Sequence, residues 1–172
     1  MAEEELAKIR LLDEALETTH VFLSQAQDRI HKDIAPFLAE TIKRWLPDVT
    51  MGRYVDAKVN PENLQVQVCD QNGKWRDSTL LSHGTAEQIY LLLRLALAEY
   101  LTKPTEVCPL ILDDVTVQSD TKRKERMLAT LKTVSKTRQV ILFTQEEDVF
   151  QWARKNLSEP EGRLIELSPI TD

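Results

Sequence analysis

Ile9, Leu16, Leu23, Ile30 and Phe37 recur every seven residues, with Leu12, Thr19 and Ala26 at the intermediate positions. That is the spacing of a coiled-coil seam, and it predicts a long helix over residues 1–35. Two placements fit such a stripe: a coil protruding from the domain, which is preferred, or an amphipathic helix lying on its own domain. The pattern weakens at Asp33. Pro36 then removes a backbone donor and restricts Ala35, which predicts a kink or a restart capped by Asp33. A second helix is expected through Ile42 and Trp45, ending at Pro47.

The period then changes to that of strands. Val55, Ala57 and Val59 alternate with polar neighbours, Asn60-Pro61-Glu62-Asn63 turns, and Leu64, Val66 and Val68 alternate again. Asp70-Gln71-Asn72-Gly73 is a further turn leading to a short strand around Trp75, so an antiparallel meander is expected. From Thr85 a helix begins that is apolar nearly all round (Ile89, Leu91, Leu92, Leu93, Leu95, Ala96, Leu97, Ala98) and should be buried, with Pro104 ending it. Strand then alternates with helix: strand 110–113, helix 121–134, strand 139–143, helix 147–156 and a last strand Leu164–Leu167. The fold class is α/β: a mixed sheet of antiparallel meander plus parallel strands with crossover helices, in a lobe over residues 36–172 preceded by the coil.

A chain of 172 residues is about one domain. Its two cysteines, Cys69 and Cys108, make no disulfide framework and fit a reducing compartment. No stretch approaches the roughly 20 apolar residues that cross a bilayer, and the N-terminus opens with Glu3, Glu4 and Glu5, so no membrane partner is expected and a cytoplasmic, soluble protein is. A net charge of −6 argues against a generic nucleic-acid binder. The stretch 122–138 is locally basic, with Lys122, Arg123, Lys124, Arg126, Lys132, Lys136 and Arg138 against Glu125. A solvated helix face is the commoner meaning of such a run; DNA contact by Lys122, Arg123, Lys124 and Arg126 is the alternative.

Ser82 and Gly84 stand immediately before the long helix, where a hydroxyl, free amides and the positive end of the helix dipole suit an anionic phosphate. An ordinary helix cap has the same composition. The apolar run Pro109-Leu110-Ile111-Leu112 ends in Asp113-Asp114, and Val140-Ile141-Leu142-Phe143 ends in Thr144-Gln145. Ligands of open α/β sheets bind outside the carboxyl ends of strands, so these polar groups share one rim. A phosphate cradle G-x-x-x-x-G-K-[ST] does not occur: the four glycines are Gly52, Gly73, Gly84 and Gly162, and Gly73-Lys74 runs into Trp75.

Leu81-Ser82-His83-Gly84 with Gln88, then Pro109 to Asp114, Ser119-Asp120 and Gln145, resemble in order and spacing the C-terminal half of the ATPase head of the SMC, SbcC and RecN group. That group includes the eukaryotic double-strand-break repair ATPase and YhaN-like bacterial proteins. The resemblance is tight from Leu80 to Leu167 and rests on element order before Ser78. It implies the C-terminal lobe of a P-loop ABC-type head. Ser82, His83, Gly84 and Gln88 would be the signature motif, touching a nucleotide held by an opposing head. Asp113 would hold Mg²⁺ through water, Asp114 would polarise the attacking water, Ser119-Asp120 would be the D-loop, and Gln145 would stand at the switch position. Three residues depart from the pattern. His83 replaces a glycine and costs the loop backbone freedom. Asp114 replaces a glutamate and is one methylene shorter. Gln145 replaces a histidine and has no proton that titrates near neutrality.

The resemblance therefore implies a slow ATPase working as an ATP-gated clamp. ATP and Mg²⁺ are its cofactors, neither bound tightly by this chain alone; a P-loop lobe, a second head and DNA are its partners. DNA repair, chromosome maintenance and DNA defence are the settings it implies, with nucleoid association. A start at Met1 within heptads is expected of a piece of a longer polypeptide. The rival class is a coiled-coil scaffold whose lobe is a degenerate, non-hydrolysing relic, and a membrane-transporter nucleotide domain is a third.

Overall fold

The computed structural model describes residues 2–102 and 107–167. Pro104, expected to end the long helix, lies outside the described residues, as do the side chains of Ala26 and Ile30 in the heptad seam. One helix, α1, runs unbroken over Ala2–Val49, with Pro36 and Pro47 inside it. The expected restart at Asp33 does not occur. From Ala35 onward the helix lays Ala35, Leu38, Ile42, Leu46 and Val49 into the core at helical spacing. Burying a large aliphatic side chain stabilises by about 1.5–3 kcal/mol, so four of them outweigh the roughly 3 kcal/mol that an interior proline costs. Pro36 itself is exposed, where water can reach the carbonyl it leaves unpaired.

Nearer the N-terminus, Ile9, Leu12, Leu16 and Leu23 of the stripe are all exposed, while Ile34 already packs against the core. The seam ends where Phe37 enters the lobe and packs its ring 5.3 Å from that of Tyr100.

Three strands follow, β1 (Tyr54–Val59), β2 (Val66–Asp70) and β3 (Trp75–Asp77), in an antiparallel meander of that order. A bulge between Tyr54 and Asp56 changes the facing of β1: Tyr54 is buried and Val55, expected inside, is exposed. Leu64 does not extend β2. It adopts a positive φ of 57° and closes the turn by donating its amide to the Asn60 carbonyl at 2.9 Å. Gly73, at φ 77°, makes the second turn as its sequence predicts.

A short 3₁₀ turn, Ser78–Leu80, leads into α2 (His83–Leu101), which is buried along Ile89, Leu91, Leu92, Leu95 and Ala96. Next come β4 (Leu110–Asp113), α3 (Thr121–Val134), β5 (Val140–Phe143) and α4 (Glu147–Asn156). β4 and β5 are parallel, with Leu110 opposite Val140 and Asp113 opposite Phe143, and α3 is their crossover. The expected strand at Leu164–Leu167 is not formed: these residues are irregular and exposed, and they pair with no strand among the described residues.

Leu110 and Leu112 face the core, while Ile111 is 64 % exposed and Phe143 48 %. Parallel strands are ordinarily covered on both faces, and here one face of the pair is open. Side chains alternate across a strand, so Asp113 lies on the open face with Ile111.

Candidate nucleotide site

Ser82 is the N-cap residue of α2, but its hydroxyl caps no backbone amide; it shares a 2.9 Å hydrogen bond with the Thr85 hydroxyl. The Ser82 carbonyl accepts the amides of Thr85 and Ala86 at 2.9 Å each. Gly84 is buried against a second segment. A Cβ at position 84 would stand 2.7 Å from the Gln118 carbonyl oxygen and 3.2 Å from Nη1 of Arg123. The glycine is needed for this close approach, which brings the turn of Ser82 against the loop that carries Ser119 and Asp120. His83 is exposed at the first helical position.

Gln88 belongs elsewhere. It is 1 % exposed and donates from Nε2 to the Val49 carbonyl at 2.8 Å, closing the orphaned end of α1. Its side chain is thus engaged within the lobe, as a tie between two helices.

Asp120 caps α3, accepting the Arg123 amide at 3.1 Å and pairing with Arg123 Nε at 3.2 Å. Ser119 is buried with its hydroxyl 3.5 Å from Met127 Sδ. Two of the four proposed DNA contacts are thereby engaged within the lobe. Arg123 is held by Asp120, and the Lys124 ammonium bonds Glu146 and, at 2.9 Å, Asp148, with its side chain 13 % exposed. Lys122 and Arg126 are exposed and form no ion pair among the described residues.

At the strand ends, Asp113 is exposed, and Asp114 leaves β4 in a left-handed conformation of φ 46°. Aspartate tolerates that region better than most residues. The Asp114 amide donates to the Phe143 carbonyl at 3.0 Å, and its Oδ1 accepts the Gln145 amide at 3.3 Å. The two strand ends are thus laced together, with the Gln145 side chain exposed beside them.

Directly behind this lacing is a cluster that the sequence did not reveal. Glu146 accepts from the buried Thr116 hydroxyl and from Lys124, and Asp148 joins through Lys124. The hydrogen bond from Lys124 holds the Asp148 carboxyl below the usual aspartate range, and the hydrogen bond to Glu146 raises the Lys124 ammonium. The partners are separated by 22 and 30 residues, and nothing local in the chain joins them.

Among the described residues no group of three or more His, Cys, Asp or Glu is arranged to hold a metal. Asp113 and Asp114 offer two carboxylates at an open rim. That suits Mg²⁺, which takes one or two protein carboxylates and fills its remaining positions with phosphate oxygens and water.

No family model matches the chain. It is similar to the uncharacterized protein YhaN of Bacillus subtilis, at 34 % identity over 122 residues, covering 69 % of this chain and 12 % of that protein. It is also similar to a DNA double-strand break repair Rad50 ATPase of Sulfurisphaera tokodaii, at 29 % over 144 residues, 78 % of this chain and 16 % of that one. The chain thus spans less than a fifth of the length of these curated relatives. Among solved structures, a chain from work on ATP-driven dimerisation and DNA-stimulated activation of SMC ATPases superposes with a TM-score of 0.58 at 15 % identity, over 72 % of this chain and 76 % of that chain. The SMC head domain from Thermotoga maritima gives 0.52 at 24 % identity, over 74 % and 44 %. An Smc head from Pyrococcus furiosus, with an extended coiled coil and bound to the C-terminal domain of ScpA, gives 0.53 at 16 %, over 67 % and 30 %.

The fold is that of an SMC-type head domain. In sequence the chain is similar to YhaN and to a Rad50 ATPase, which is consistent with a fragment of an SMC/Rad50-type head.

Proposed function

We propose that this lobe completes a composite ATPase head. One observation carries the reading: Gly84 fits only as a glycine against the Gln118 carbonyl, seating Ser82 on the loop of Ser119 and Asp120, while Asp113, Asp114 and Gln145 gather at the strand ends. These are two half-sites on one lobe, and the phosphate cradle both would serve is missing from the sequence. In this reading the cradle belongs to a P-loop lobe covering the open face marked by Ile111 and Phe143, whose burial would supply much of the docking energy.

In the composite head, Asp113 would hold Mg²⁺, and the ion would supply positive charge against the phosphates. Asp114 orients the attacking water and Gln145 hydrogen-bonds it or the γ-phosphate. Ser82 and the amides of His83 and Gly84 receive the γ-phosphate of ATP held by an opposing head. ATP binding joins two heads, hydrolysis parts them, and α1 passes the movement into the coil. Lys122, Arg126 and Lys136 are the basic residues of the 122–138 run left exposed for a DNA backbone, and the first two are among the expected contacts.

The test is reconstitution with a P-loop lobe of a YhaN-like protein. The chain alone is expected to turn over no ATP. The combined head is expected to hydrolyse ATP slowly and to dimerise with it, and Ser82→Arg to abolish that dimerisation by placing bulk and positive charge in the phosphate receptor. Turnover by the chain alone, or ATP-dependent dimers of Ser82→Arg like those of wild type, would overturn the reading.

A further inference from the structure

Glu146 carries two ties that converge from different directions. One carboxylate oxygen accepts from Thr116, on the loop that descends from Asp114, and the other from Lys124, one turn into the helix that Asp120 caps. The Lys124 amide in turn donates to the Asp120 carbonyl at 2.9 Å. Thr116 is fully buried, and the side chains of Lys124 and Glu146 are each 13 % exposed, so this bridge is less open to screening by water than an exposed surface pair.

Glu146 is extended, at φ −82° and ψ 118°. Neighbouring side chains of extended backbone point to opposite sides, so drawing Glu146 inward turns Gln145 outward. Gln145 is exposed, and its amide meets the Asp114 carboxylate. The Glu146 amide is also fixed, donating to Thr144 Oγ1 at 3.1 Å.

We propose that Glu146 is a positioning residue: anchored by Lys124 and Thr116, it holds Gln145 against Asp114 and couples that loop mechanically to the loop of Ser119 and Asp120. A displacement of Asp120 moves the start of α3, and Lys124 hands it to Glu146 and so to Gln145. The consequence for hydrolysis rests on the proposed ATPase reading; the coupling of the loops does not.

Hydrogen exchange on the full 172-residue chain tests the coupling without nucleotide. In Glu146→Gln and in Lys124→Met, exchange is expected to rise at least about fivefold both in 144–147 and in 114–120. The double variant is expected to exchange no faster than the worse single one, because both remove the same tie. Arg138→Met serves as a control for general loosening. Arg138 bonds the Ala98 carbonyl and Thr102 hydroxyl at 3.4 Å each, at the end of α2, and its loss should leave both loops protected. In the composite head, Glu146→Gln should lower kcat about tenfold with KM for ATP within about twofold, as expected when reacting groups are misplaced but nucleotide binding is intact.

Unchanged exchange at Gln145 in Glu146→Gln would overturn the proposal. So would loosening of 144–147 alone, or equal loosening by Arg138→Met. If no P-loop lobe yields turnover, the ATPase reading fails while the exchange result still decides the bridge.

Discussion

The α-carbon of Gly84 sits so close to the Gln118 carbonyl that a Cβ would stand 2.7 Å from the oxygen, with backbone, not a flexible side-chain end, on the other side. Neither segment can yield without moving a helix start or a capped loop. Gly84→Ala is therefore expected to cost about 1–3 kcal/mol, the usual range for overpacking a filled site. Urea unfolding of the wild type and variant measures it; a loss below about 0.5 kcal/mol would show that the two segments separate freely.

Gln88 and Val49 give a second prediction, in which stability and catalysis part company. Gln88→Leu leaves the Val49 carbonyl without its buried donor and should destabilise by about 1–3 kcal/mol. In a reconstituted head, the ATP-dependent dimer should form with wild-type affinity once the protein is folded. A large loss of nucleotide-dependent dimerisation without loss of stability would restore Gln88 to the nucleotide site.

Asp114 combines a left-handed backbone with a side chain that accepts the Gln145 amide. Asparagine keeps both properties and removes the charge, so Asp114→Asn should change stability by less than about 0.5 kcal/mol while abolishing turnover in the composite head. Asp114→Val loses the acceptor and places a β-branched residue at positive φ, at a cost of about 1–3 kcal/mol. Thermal unfolding of the two variants side by side distinguishes them; equal stabilities would mean that the left-handed conformation carries no strain.

The Lys124 and Asp148 pair predicts a pH response. The folded Asp148 carboxyl lies below its ordinary value, so its stabilisation is complete above about pH 3.9 and is lost as pH falls through the lower folded pKa. Lys124 is raised, so its part is complete below the unfolded lysine value and is lost only as pH rises through the still higher folded one. Between these limits the pair contributes a constant amount. The Tm difference between wild type and Asp148→Asn should be flat from about pH 5 to 9 and shrink toward pH 3; a difference that grows on acidification would contradict the assignment.

Most elements were legible because their signals are local. The boundaries of β4, α3 and α4 stand where the alternation of strand and helix along the sequence places them. The residues at the rim were legible for the same reason, since polar residues at strand ends need no partner to be noticed. What escaped was set by distant contacts. Pro36 reads as a break or a kink until the core under Leu38 and Ile42 is seen to keep the helix continuous. Val55 reads as inward until a bulge turns Tyr54 in. Gln88 reads as a ligand, and Lys124 as part of a solvated face or a DNA contact, because a polar residue in a motif or a basic run does not announce a buried partner 39 or 22 residues away.

By itself the sequence determined the kinds of element, their order, the glycine at 84, the carboxylates at 113 and 114, and the absence of a phosphate cradle, because each depends on residue type and local period. Only the tertiary structure decided why Gly84 must be glycine, which polar side chains are free to meet a ligand, and that Glu146 stands behind Gln145. Those depend on which distant backbone or charge fills the space, and burial makes each such contact count for more than it would in water.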